Sequence, residues 1–254
     1  MPINSELLER SIQKCYSDFL SYFQLIKNFT RYSLLFWEEK VDWSEIVKIE
    51  AESNLLYNKN ILEIEWQCTK NTPSNVKLRF FLALFLSVKD LERCGDYLYS
   101  IAKIATKDGN SDLKKIILHS QLWEIVSEYC QSIYNLFGKS SGEIEQFSYE
   151  EILSQKSVLH SKLSKISIQL NERLLKFTGI EPFTSYQTPW RDEEEHSERI
   201  KNIIALSGLL QLILVKIDRF LDHVFNIVEN FYYIKNQEMQ LHLSSLLKES
   251  HRPD

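Results

Sequence analysis

Residues 88–103 read VKDLERCGDYLYSIAK. Glu92 and Asp96 stand four residues apart, on one side of any helix they share. Like charges one turn apart cost a helix about 0.2–0.5 kcal/mol. The preceding LRFFLALFLSV reads as a buried helical run. Two acids stacked just after it call for a neutralising partner.

The pattern recurs. Residues 214–229, LVKIDRFLDHVFNIVE, lie 126 positions downstream, about half the chain length. There Asp218 and Arg219 fall on Glu92 and Arg93, Asp222 on Asp96, and Ile227 on Ile101. At 100° per residue, Gln211, Asp218, Asp222 and Glu229 fall within about 20° of a common line. The rest of that helix is mostly Leu, Ile, Val, Phe and Tyr. A carboxylate pair one turn apart suits a hard or borderline cation such as Mg, Mn, Fe or Zn. Arg93 and Arg219, each beside an acid, and Lys89 are the alternative neutralising partners, in a metal-free ionic face. His223 reads as a packing or capping residue rather than a ligand.

Composition agrees with a helical core. The 254 residues are 44% hydrophobic and 26% charged, with only six Gly and five Pro. Such a chain buries a sizeable core and has few tight turns. Six helices are expected, at about Ser5–Glu38, Ser44–Thr69, Asn75–Lys107, Asp112–Phe137, Ser148–Phe177 and Asp192–Asn236. The last third of the sixth is readable as a separate helix. Asp42 or Ser44 is expected to cap the second helix, Pro73 to open the third, Gly109 to end it and Ser111 to cap the fourth. TGIEPFTSYQTPW, with Pro182 and Pro189, reads as a long loop, and the final HRPD as frayed. The expectation is an all-α fold of two tandem antiparallel three-helix bundles with spectrin-repeat-like packing, divided at 1–108 and 109–254.

A net charge of −5 and a pI near 5.8 give no global drive to bind nucleic acid. Cys15, Cys68, Cys94 and Cys130 are scattered and form no CxxC, as expected of reduced structural thiols. The N-terminus lacks the apolar stretch of a signal peptide. The runs FFLALFLSV and IIALSGLLQLILV fall short of the roughly 20 residues of a membrane span, so no span is expected. GxxxxGK, GxSxG and HExxH are absent. ExxH occurs once, at Glu193 to His196, where a di-iron bundle needs it twice. An enzyme is not expected.

VKDLERCGDYLYSIAK resembles the LERIGD…NIA signature of the PhoU family. KIDRFLDHVFNIVENFYYIK resembles that family's second copy, and PSNVKLR (residues 73–79) its PxxxDLR. The resemblance implies two tandem three-helix bundles and multinuclear metal clusters of iron or zinc. Carried over, the ligands are Glu92 and Asp96 in the first half and Asp218 and Asp222 in the second. Glu50 and Asn54 are the best-placed additional ligands from a neighbouring helix, with Glu229 on the second stripe. The fifth helix has no matching acid before Glu172. Departures are Lys77 for the family's Asp, Asp218 for Glu, Leu221 for Gly and Asn236 for the closing Gly. The family implies a cytoplasmic negative regulator beside a phosphate ABC transporter and a sensor histidine kinase, acting as a dimer. An accessory module of another transporter and a metal-free interaction bundle are the alternatives.

Overall fold

The computed structural model describes residues 5–73, 75–106, 111–139, 149–177 and 193–236. Among these residues every regular element is a helix. In order they are α1 (Ser5–Trp37), α2 (Trp43–Asn71), α3 (Asn75–Ala105), α4 (Ser111–Leu118), α5 (Leu122–Lys139), α6 (Tyr149–Phe177) and α7 (Glu193–Asn236). The expected all-α fold is therefore observed. Gly109, Pro182, Pro189 and the HRPD tail lie outside the described residues.

Helix boundaries follow local chemistry. In α1 the buried positions Leu8, Cys15, Phe19, Tyr22, Phe23, Ile26, Phe29 and Trp37 recur at helical spacing. Glu39 (φ 60°) turns the chain out of α1. Asp42, extended at φ −83° and ψ 159°, occupies the N-cap of α2. Its side chain makes no capping hydrogen bond. Its carbonyl instead accepts from the Glu45 N–H at 3.0 Å, and Ser44 already lies inside α2. Thr72, at φ 40°, closes α2 by donating its N–H to the Cys68 carbonyl.

One expected helix is two. The stretch from Asp112 to Phe137 breaks at 119–121. The Ser120 hydroxyl donates to the Ile117 carbonyl at 2.6 Å and accepts from the Leu122 N–H at 3.4 Å. A serine that satisfies backbone groups on both sides of itself offers an alternative to the helical ladder. The kink lets Leu113 and Ile117 of α4 and Leu122 and Trp123 of α5 all reach the core. At the other end of the chain, α7 runs unbroken, with no separate last helix.

Helix α7 carries its apolar character beyond the uncharged run. Ile200–Tyr232 is long and apolar enough to cross a membrane by length and composition alone, reaching a mean hydropathy of 1.8. The helix continues through the charged residues that bound the uncharged run. Only 17% of its most apolar window is buried: Leu210, Ile213 and Ile217 face the core, while Ile200, Ile204, Leu212 and Val215 are exposed.

Helices α1, α2 and α3 pack on one another, and α4 to α7 form a second set. The largest interface, α3 against α7, joins the sets, and one hydrophobic core runs through both. The Cys94 thiol donates to the Phe220 carbonyl at 3.7 Å. These positions differ by 126, the offset that aligns the two acidic stretches, so equivalent positions meet as at a local twofold axis. Asp90 of α3 is the polar centre of this interface. It accepts from His223 Nδ1 at 2.8 Å, Asn226 Nδ2 at 3.3 Å and Asn230 Nδ2 at 2.8 Å. His223 stacks on Tyr97 at 5.7 Å. It thus packs and bonds between helices. All four cysteines are free thiols, and Cys15, Cys94 and Cys130 are buried.

Candidate functional site

The first acidic pair faces α2 across a close helix–helix contact that Gly95 permits. A Cβ at Gly95 would lie 2.8 Å from Ser53 Oγ and 3.6 Å from Glu50 Oε2. Ser53 is buried, and its hydroxyl is 3.0 Å from the Tyr22 hydroxyl, so it yields only by losing that bond. A mid-helix glycine costs about 1 kcal/mol against alanine; here it brings α2 within reach of the acids. Gly95→Val is expected to destabilise the protein by about 2–3 kcal/mol in denaturant melts. Gly95→Ala should cost less, and adding Ser53→Ala, which removes the hydroxyl 2.8 Å from the new Cβ, should recover most of that smaller loss. A neutral Gly95→Val would show that α2 and α3 are not in close contact there.

Glu92, Asp96 and Glu50 gather at this contact. Arg93 Nε lies 3.5 Å from Glu92, and its Nη1 lies 3.3 Å from Asp96. Burial pushes the Glu92 carboxyl above its usual range, and the charge of Asp96 adds to the rise against Arg93 and Lys89. Burial likewise raises Glu50, helped by Asp96 and Glu92. Asn54 opposes this by donating to Glu50 Oε1 at 3.3 Å. The other oxygen, Glu50 Oε2, is buried without a hydrogen-bond partner. A raised carboxyl is a cost of holding charge in the folded state, incurred above its folded pKa and relieved as pH falls. A bound cation would offset the same cost.

The donor chemistry, three carboxylates and an amide, suits a hard or borderline cation. The placement is less complete. Among the described residues, no three His, Cys, Asp or Glu side chains form an arrangement that could hold a metal ion.

The second pair has different neighbours. Asp222 Oδ1 lies 3.3 Å from Lys156 Nζ of α6. Asp218 Oδ1 lies 3.2 Å from His160 Nδ1, whose Nε2 is 3.8 Å from Asp222. Lys156 also sits 4.1 Å over the Phe225 ring. Arg219 is exposed and, among the described residues, makes no ion pair. Glu229 and Asp222 both lie near Tyr129, whose phenol is pushed up by burial first and by these charges second. Lys156, His160 and Asp90 are absent from the expected site. Lys156 and His160 carried a sequence signal, since they repeat the one-turn spacing of the acids they face. Lys77, in place of the family's Asp, pairs with Glu9. Glu193 and His196 open α7, but their side chains lie outside the described residues.

Residues 21–105 match the family model described as the PhoU domain. These residues are similar to a PhoU domain. The match runs from within α1 to the last residue of α3 and includes Glu50, Asn54, Glu92, Gly95 and Asp96. Over nearly its whole length, the chain is similar to uncharacterized proteins of Mycoplasma pneumoniae and Mycoplasma genitalium. It is 27% identical to each over 243 residues, which cover 93% of this chain and 98% of each relative. Its fold is that of the phosphate transport system regulatory protein PhoU from Streptococcus pneumoniae, with a TM-score of 0.58 and 18% identity over 91% of this chain and 98% of that one. The crystal structure of PhoU from Pseudomonas aeruginosa is similarly related, with a TM-score of 0.61 and 14% identity over 91% and 99%.

Proposed function

We propose that this protein is a PhoU-like regulator of phosphate uptake and phosphate signalling. It acts as a cytoplasmic helical adaptor, not an enzyme. Its partners are the subunits of a phosphate ABC transporter and a sensor histidine kinase, and it restrains uptake when phosphate is sufficient. Its two halves, 1–108 and 109–254, are two PhoU repeats, and it works as a homodimer. The observation that supports this reading is the match of residues 21–105, which contain the whole first acidic site, to the PhoU domain.

In this reading Glu92, Asp96 and Glu50 hold iron or zinc, or less favourably Mn or Mg, with Asn54 at the edge. Support comes from the buried, unpartnered Glu50 oxygen and from the raised Glu92 and Glu50 carboxyls. A cation would draw the carboxylates together and present a charged face to a partner.

A metal-free interaction bundle is the second reading. It is favoured by the lack of a three-ligand arrangement among the described residues and by the Arg93 pairing. Elemental analysis of protein purified without chelator separates the two. Metal is expected in the wild type, and a fall to near zero in the Glu92→Gln, Asp96→Asn double variant. A metal-free wild type would leave only the second reading. Co-purification with the ATPase subunit of a phosphate transporter tests the adaptor role, and failure to capture it from phosphate-replete cells would count against that role.

A further inference from the structure

The two acidic pairs are set in the same frame but meet opposite charges. In the first half, Glu50 faces Asp96 and Glu92 from α2, with Asn54 one turn further on. In the second, Lys156 faces Asp222 from α6, and His160, one turn further on, faces Asp218. With Asp96 aligned on Asp222, Lys156 therefore takes the place of Glu50, and His160 that of Asn54. A carboxylate that would complete an oxygen-donor set has become an ammonium.

We propose that Asp218 and Asp222 form no metal site and instead make an ionic clamp that fastens α6 to α7 through Lys156 and His160. The Lys156 side chain is only 16% exposed and lies against the buried Phe225 ring. A cation on Asp222 would take away its counter-ion and leave an ammonium partly buried and unpaired. The His160 ring lies near both acids with both of its nitrogens. In the tautomer protonated at Nδ1 it donates to Asp218. The second pair thus has its positive charge built in, and cation loading is confined to the first half. The inference rests on the proposed function only in taking the first pair as the cation site.

Two measurements on the full chain test it. In thermal melts, Lys156→Gln and Asp222→Asn should each lower the melting temperature, and the double variant should fall little further than either alone. Additive losses would overturn the clamp. In elemental analysis after incubation with zinc or ferrous ions and desalting, Asp218→Asn with Asp222→Asn should retain the wild-type metal content. A loss of metal in that variant, or in His160→Gln, would make the second pair a ligand set and overturn the proposal. Should the wild type bind no metal, the cation reading of the first half fails, while the melting cycle still decides the clamp.

Discussion

Phe231→Ala is expected to cost about 3–5 kcal/mol of stability. That corresponds to a fall of about 10 °C in Tm for a chain of this size. Phe231 is 2% exposed. Its ring lies 4.9 Å from that of Phe137, 5.6 Å from Phe19, 6.0 Å from Phe80 and 6.2 Å from Tyr16. These rings come from α7, α5, α1, α3 and α1, so a single side chain ties four helices from both sets together. Removing it leaves a cavity whose walls belong to rigid helices and cannot collapse freely. Phe231→Leu should lose clearly less, because it keeps most of the volume. Urea unfolding of the three proteins is the measurement. A loss below about 1 kcal/mol for Phe231→Ala would mean that this junction does not hold the two sets together.

Asp90→Ala is expected to cost about 3 kcal/mol, from losing hydrogen bonds made to a charged acceptor and leaving their donors unsatisfied. Asp90 is 14% exposed and is the shared acceptor of His223, Asn226 and Asn230. Removing it leaves three donors facing an apolar methyl between α3 and α7. Asn230 retains a second partner, the Ser87 hydroxyl at 3.3 Å, so the loss is spread unevenly. Asp90→Asn, which keeps an acceptor oxygen but loses the charge, should be intermediate. Thermal melts of the two variants order them, and equal stability of Asp90→Ala and wild type would exclude Asp90 as the centre of the interface.

The helices were legible because their apolar residues recur at a period that only a helix satisfies. Leu8, Cys15, Phe19, Tyr22 and Ile26 face the core where that period places them. The break at Ser120 was not legible, because serine is common within helices, and its hydroxyl breaks the ladder only where the core pulls the flanking turns in different directions. The apolar length of α7 was underestimated by counting uncharged runs, since a continuous helix carries a few charges without losing its apolar character.

At the site, the one-turn spacing of Glu92 with Asp96 and of Asp218 with Asp222 was plain from the chain alone, because 3.6 residues per turn puts i and i+4 on one face. Glu50 and Asn54 were reached only through family resemblance, and the close approach at Gly95 brings Glu50 to the acids. The distinction between the two pairs was not available from spacing. The sequence by itself determined an all-α chain with a repeated acidic helix face, since both properties depend on local periodicity. Only the tertiary structure decided which charges those faces meet. Glu50 and Lys156 lie more than 40 and more than 60 residues from the acids they face, and opposing charges across a helix contact are set by packing, which no local pattern encodes.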